Sequence, residues 1–190
     1  MDARQKRLRM LIEIAILTAL AIVLDNIPFL KFSLWPNGGS VSFAMVPVFI
    51  VAFRWGLGGG LISGLLFGLL KLVFGPTILH LYQAFIEYGF AFTVIGLAGI
   101  FSNTIKDALR NEQAGKAFTY ITFGTLLGSG LRFLAHFYGG IVFWGEFAPE
   151  DQPVWLYSLV YNGSYMLPSF VICAVGIYLL FKAHPRLLLR

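Results

Sequence analysis

Three residues able to do chemistry and one glycine recur at helical spacing: Arg132, His136, Gly140 and Trp144 stand at i, i+4, i+8 and i+12. On an α-helix that spacing makes one ridge on one face. Along the ridge come a cation, an imidazole, a gap without a side chain, and an indole. Gly140 would admit a flat ring to the backbone between His136 and Trp144; equally, it would let another helix approach closely. Glu87 and Asn162 stand in other apolar stretches. Glu87 precedes Tyr88, and a carboxylate among indole, phenol and imidazole faces suits a cationic or amine-bearing ring. The competing reading is an ion pair of Glu87 with Arg132 that only holds a helix bundle together. Asn162 alone would as readily bridge two helices as touch a ligand. Nearby, Tyr157, Tyr161 and Tyr165 share one ridge and Ser158 and Asn162 another; most of these tyrosines read as core or interface-belt residues.

The elements that must position these residues follow from composition. Of 190 residues, 58% are hydrophobic, 16% aromatic and only 12% charged, with a mean hydropathy of +0.79. A soluble domain carries about a quarter charged residues and could not hide so much apolar surface. Disorder, collagen-like repeats and a disulfide scaffold are excluded on the same arithmetic. The chain reads as an integral membrane protein. Its single cysteine, Cys173, lies in an apolar run and suits packing. The net charge of +5 does not mark a nucleic-acid binder, because the basic residues sit at the ends of apolar runs, where topology explains them.

Six segments are candidates for crossing the bilayer: residues 10–24, 43–53, 57–74, 79–101, 117–144 and 154–181. The second is short and reads as tilted or partly re-entrant. The fold class expected is therefore all-α, a single membrane domain over 1–190 built as a six-helix bundle. The first segment follows a basic arm but lacks an Ala-x-Ala cleavage site, so it reads as a retained helix rather than a signal peptide. Most Lys and Arg fall in the N-terminal arm, at Arg54, in the loop 102–116 and in the C-terminal tail. The loop 145–155 carries Glu146, Glu150 and Asp151 instead. The positive-inside rule then puts both termini in the cytoplasm. Counted from the outer ends of their spans, Glu87, His136 and Asn162 each lie about 12 Å deep. Three polar groups from three helices thus share one layer, as in a ligand cavity opening outward. Glu13 and Lys71 stand close enough to span ends to snorkel. The long outer loop 25–42 holds Trp35-Pro36-Asn37-Gly38-Gly39, a lid over the cavity or an interface anchor.

No phosphate-binding G-x-x-x-x-G-K-[ST] loop, zinc pattern or hydrolase motif is present, so no metal, cofactor or catalytic residue is expected. A chain that binds without an engine suggests a capture subunit driven by partners. Ala15 and Ala19 give the first helix a smooth face, and Gly60, Gly64 and Gly68 a second stripe in the third; small-residue stripes more often serve internal packing than docking.

Together the residues Ala15-x-x-x-Ala19, Trp35-Pro36-Asn37-Gly38-Gly39-Ser40-Val41-Ser42, Glu87-Tyr88, His136-Phe137-Tyr138-Gly139-Gly140, Phe143-Trp144-Gly145 and Tyr157 with Asn162-Gly163 resemble a known family. It is that of the substrate-binding S components of energy-coupling-factor (ECF) vitamin transporters, specifically the thiamine-binding member. The resemblance covers nearly the whole chain. It implies a six-helix protein of the bacterial cell membrane that captures thiamine from outside. The implied ligand contacts are Trp35, Glu87, Tyr88, His136, Gly140, Trp144, Tyr157 and Asn162. It also implies that Ala15 and Ala19 dock onto a transmembrane coupling subunit that works with two ATP-binding subunits, in contact with membrane lipid. An S component for another vitamin is the nearest rival. A small intramembrane enzyme using Glu87 and His136 as an acid–base pair is the rival from another class.

Overall fold

A computed structural model describes residues 2–35, 38–74 and 77–189; Pro36 and Asn37 of the Trp35 motif lie outside the described residues. Helix α1 spans Ala3–Asn26, buries Ile14, Thr18, Ala21, Ile22 and Asp25 along one stripe, and leaves Ala15 and Ala19 exposed. The stretch read as a long loop folds instead into an antiparallel hairpin, β1 Lys31–Trp35 against β2 Gly38–Ser42. Its strands pair Lys31 with Ser42 and Trp35 with Gly38. The helical bundle therefore carries one small sheet.

Helix α2, Met45–Lys71, joins the second and third candidate spans. It is not one rod. Gly56 takes φ 75° and ψ −165°, a conformation open to glycine and costly for other residues. A Cβ on Gly60 would lie 2.8 Å from the Cβ of Ala52, whereas eight residues along a straight helix are about 12 Å apart. The chain reverses at Gly56, and two antiparallel helical legs result. The connection holding Arg54 is this reversal rather than a loop.

Helix α3 runs Leu81–Arg110, α4 Ala114–Phe143 and α5 Val154–Ala183, each 30 residues long and apolar enough to cross a membrane. A short α6, Arg186–Leu189, follows. Residues 102–110, expected in a loop, extend α3, because Ser102, Ile105 and Ala108 fall on one buried face. Lys106 Nζ donates to the carbonyl of Arg54 at 2.6 Å, fixing that end of α3 against the α2 reversal.

The Gly60, Gly64 and Gly68 stripe is internal packing. Added Cβ atoms there would meet the carbonyl oxygens of Gly96, Phe92 and Tyr88 at 2.7, 2.3 and 2.0 Å. The small residues let α2 and α3 approach backbone to backbone. Polar side chains are turned inward: Thr18 and Ser63 hydroxyls bond at 3.0 Å, and Ser102 Oγ donates to Phe53 O at 2.6 Å. Large apolar side chains such as Leu20, Leu126, Leu134 and Leu167 face outward. That inversion of a soluble protein's pattern suits lipid as solvent.

Glu13 and Lys71 do not snorkel freely. Glu13 pairs with Arg54 at 2.5 Å and Arg9 at 2.9 Å and accepts from Trp55 Nε1 at 2.7 Å. Lys71 bonds Asp25, which Lys31 also approaches at 3.9 Å. Near an end of the bundle, a partner within reach fixes a long cation more tightly than water does.

Candidate functional site

A cavity of about 880 Å³ lies beneath the hairpin, within the size range of small-molecule sites. All eight residues expected to touch ligand line it: Trp35, Glu87, Tyr88, His136, Gly140, Trp144, Tyr157 and Asn162. The hairpin, α3, α4 and α5 each contribute to it.

Glu87 is the chemical centre. It is only 7% exposed and sits in a π-helical turn, Phe85–Phe90, where the Ala91 N–H reaches back five residues to Ile86 O. Such a turn inserts one residue and re-aims the side chains around it, a device found often at functional sites. Trp144 Nε1 donates to Glu87 Oε1 at 2.9 Å, and Gln83 Nε2 donates to Oε2 at 2.5 Å. Gln83 is itself fully buried and held by the Leu79 N–H and the Thr77 carbonyl. These neutral donors orient the carboxylate without cancelling its charge. The expected alternative, an ion pair with Arg132, does not form. Arg132 lies 4.4 Å over the ring of Phe92 and turns Nε toward His136 Nε2 at 3.4 Å. Nor do Glu87 and His136 bond to each other, so the acid–base pair of the enzyme reading is not assembled.

The ridge on α4 is as the spacing requires, with Arg132, His136, Gly140 and Trp144 all facing the cavity. Close packing decides the role of Gly140. A Cβ there would meet Ser158 Oγ at 2.2 Å, so the gap is filled by α5. At the adjacent Gly139 a Cβ would meet Glu87 Oε1 at 2.7 Å. One glycine thus admits α5 and the other admits the carboxylate. Asn162 bridges α4 and α5 and also lines the cavity. Its Nδ2 donates to His136 O at 3.3 Å and Ser158 O at 3.0 Å, and its Oδ1 accepts from Tyr165 OH at 2.6 Å.

The walls are aromatic. Trp35 stands 5.3 Å from Tyr161, which is 5.8 Å from Tyr157 and 6.0 Å from Tyr165. The three tyrosines of α5 line the cavity, and Tyr165 and Tyr161 also belong to or pack against the hydrophobic core, as expected. Trp35 Nε1 also donates to Ser164 Oγ at 2.9 Å, so the hairpin tip is latched to α5. Asp25 and Lys71 complete the wall. Their signal in sequence was a pair of opposite charges at two helix ends facing one loop.

Fold and cavity together define a class: a multi-pass helical membrane protein with a buried, aromatic-walled chamber holding a carboxylate without a cationic partner among the described residues. The family described as "Thiamine transporter protein (Thia_YuaJ)" matches residues 11–189. The chain is 45% identical over 186 residues to thiamine transporter ThiT of Bacillus subtilis, covering 97% of this chain and 96% of that one. It is 32% identical to thiamine transporter ThiT of Lacticaseibacillus paracasei, over 97% and 92% of the two chains. The solved structure of ThiT from Listeria monocytogenes superposes with a TM-score of 0.89 at 34% identity, covering 96% of this chain and 98% of that one. The chain belongs to the thiamine transporter family. That family is one of transporters and not of enzymes.

Proposed function

We propose that this chain binds thiamine in the cavity beneath the hairpin, as the substrate-capture S component of an ECF-type importer in the bacterial cell membrane. The observation that carries the reading is Glu87, a buried carboxylate oriented by Gln83 and Trp144 with no cationic partner among the described residues. A buried anion is stabilised by a cation, and flat faces nearby favour a cationic ring. Thiamine supplies both features, a thiazolium charge and an aminopyrimidine that can exchange hydrogen bonds with the carboxylate, His136 and Asn162. Trp35, Tyr88, Trp144 and Tyr157 supply ring faces, and Gly140 holds α5 close enough for Asn162 to reach the ligand.

Capture requires the cavity to face the outside. The basic residues at the opposite end of the bundle, with the start of α1 and the short α6 beside them, support cytoplasmic termini and an outward cavity. The exposed Ala15 and Ala19 on α1 support docking onto a transmembrane coupling subunit, with two ATP-binding subunits supplying the energy. Titration of the purified chain with thiamine should quench tryptophan fluorescence, because Trp35 and Trp144 line the cavity. Riboflavin and biotin should not compete. Absence of quenching, or an unchanged response in Trp144→Ala, would overturn the reading.

A further inference from the structure

A second cavity, of about 450 Å³, opens at the other end of the same helices. Five cations line it: Lys6 and Arg9 on α1, Arg54 at the α2 reversal, and Lys106 and Arg110 on α3. Trp55 lies beside them, and the reversal at Gly56 forms part of the wall. Two carboxylates stand nearby. Glu13 is consumed by Arg54 and Arg9, and Asp107 meets Arg110 at 3.3 Å on the exposed rim. Lys106 donates only to a backbone carbonyl, and Lys6 has no carboxylate partner among the described residues. Lys6, Arg54 and Arg110 all act on Lys106 as like charges. Converging cations in a cleft repel one another, and an anion with several acceptor oxygens relieves that repulsion while meeting the guanidinium forks.

The surroundings indicate what carries the anion. Leu8 and Ile12, on the same stretch of α1 as Lys6 and Arg9, are 59% and 50% exposed, and Leu57, next to Gly56, is 41% exposed. Basic pockets between membrane helices, bordered by apolar side chains and an interfacial indole, suit a phosphate with acyl chains attached. We propose that this cavity is a binding site for a phosphate-bearing anion, supplied by the headgroup of an anionic phospholipid. The site is separate from the thiamine cavity and does not depend on what that cavity holds.

Native mass spectrometry of the purified full chain in detergent, titrated with dioleoylphosphatidylglycerol, dioleoylphosphatidylcholine or inorganic phosphate, tests it. One phosphatidylglycerol should be retained at about tenfold lower concentration than phosphatidylcholine, the preference two or more interfacial cations support. Lys6→Ala with Arg110→Ala should abolish the preference. Arg4→Ala with Lys116→Ala, which removes the same charge elsewhere, should keep it. Circular dichroism melting confirms that both double variants are folded. Thermal stabilisation by inorganic phosphate, lost only in the first double variant and unaccompanied by a lipid preference, would keep the anion site and overturn the lipid as its source. Equal behaviour of both lipids with no effect of phosphate, or equal loss in both double variants, would overturn the site itself.

Discussion

The two cavities lie at opposite ends of shared helices and differ in which charged groups lack an ion-pair partner. Beneath the hairpin, Asp25 pairs with Lys71 and is approached by Lys31 at 3.9 Å, Arg132 rests on the face of Phe92, and the carboxylate of Glu87 has only neutral donors beside it. At the other end Glu13 is satisfied by Arg54 and Arg9, and cations are left over. A ligand's charge is therefore legible in which member of a cluster lacks a partner; the chain's net charge of +5 would have suggested anions everywhere. The aromatic content differs in the same sense. Ring faces crowd the first cavity, where a flat cation is to be held, and a single indole stands at the second, beside charges that need acceptor oxygens.

The sharpest way to break this comparison is to exchange the roles of the two acids. Glu87→Gln preserves the shape but removes the charge, and its amide oxygen can accept from only one of the two donors, Gln83 and Trp144. Thiamine affinity should fall at least about 30-fold, the 2–5 kcal/mol expected when one partner of a buried charge pair is removed. Fluorescence titration measures it. Glu13→Gln should leave thiamine affinity within about twofold and instead destabilise the fold by about 1–2 kcal/mol. That figure is reduced from the cost of breaking a fully buried pair because Glu13 is 23% exposed. Its readout is the melting temperature. If Glu13→Gln weakened thiamine binding as much as Glu87→Gln, the two ends would not be separate systems.

A smaller effect tests the framework between them. Gly68→Ala places a Cβ 2.0 Å from the carbonyl of Tyr88, so α2 must push α3 and displace Glu87 and Tyr88. A loss of about 1–3 kcal/mol is expected in thermal melts, as for overpacking in a close-packed core, together with weaker thiamine binding. Gly130→Ala, whose Cβ meets nothing within 4 Å, should be neutral or slightly stabilising through helix propensity.

What the sequence made readable divides along a physical line. The α4 ridge followed from constant helical rise and turn and holds because α4 is regular; the same counting put Glu87, His136 and Asn162 in one layer, and all three line one cavity. The helical, membrane-spanning character of the apolar stretches was legible because they are long and separated by breakers. Legibility failed where backbone geometry departs from the average. The π-turn at Glu87 has no side-chain signature, and the role of Gln83 depends on it. The α2 reversal falls between the candidate spans 43–53 and 57–74, where the cluster Gly56, Gly58, Gly59 and Gly60 marks the place, but its tight geometry at Gly56 carries no further signal. The continuation of α3 past residue 101 was hidden by Lys106, Asp107 and Arg110, which outweighed the helical spacing of Ile105 and Ala108. The alternation Lys31-Phe32-Ser33-Leu34-Trp35 before a glycine pair was a hairpin signal of the ordinary kind, masked by the expectation that a membrane protein is helical throughout.

The hairpin supplies the smallest effect and the most discriminating one. Trp35 contributes a ring facing Tyr161 and an N–H donated to Ser164. Trp35→Phe keeps a ring and removes the donor, so it unlatches the tip without emptying the wall. One neutral hydrogen bond is worth about 1 kcal/mol, which predicts a roughly fivefold faster release of thiamine with little change in its rate of entry. Stopped-flow fluorescence separates the two rates. Ser164→Ala removes the same bond from the other side and should give the same acceleration, with no further loss in the double variant. If the two single changes instead added, Trp35 would act through its ring alone, and the hairpin would be a fixed wall of the cavity and not a latched cover.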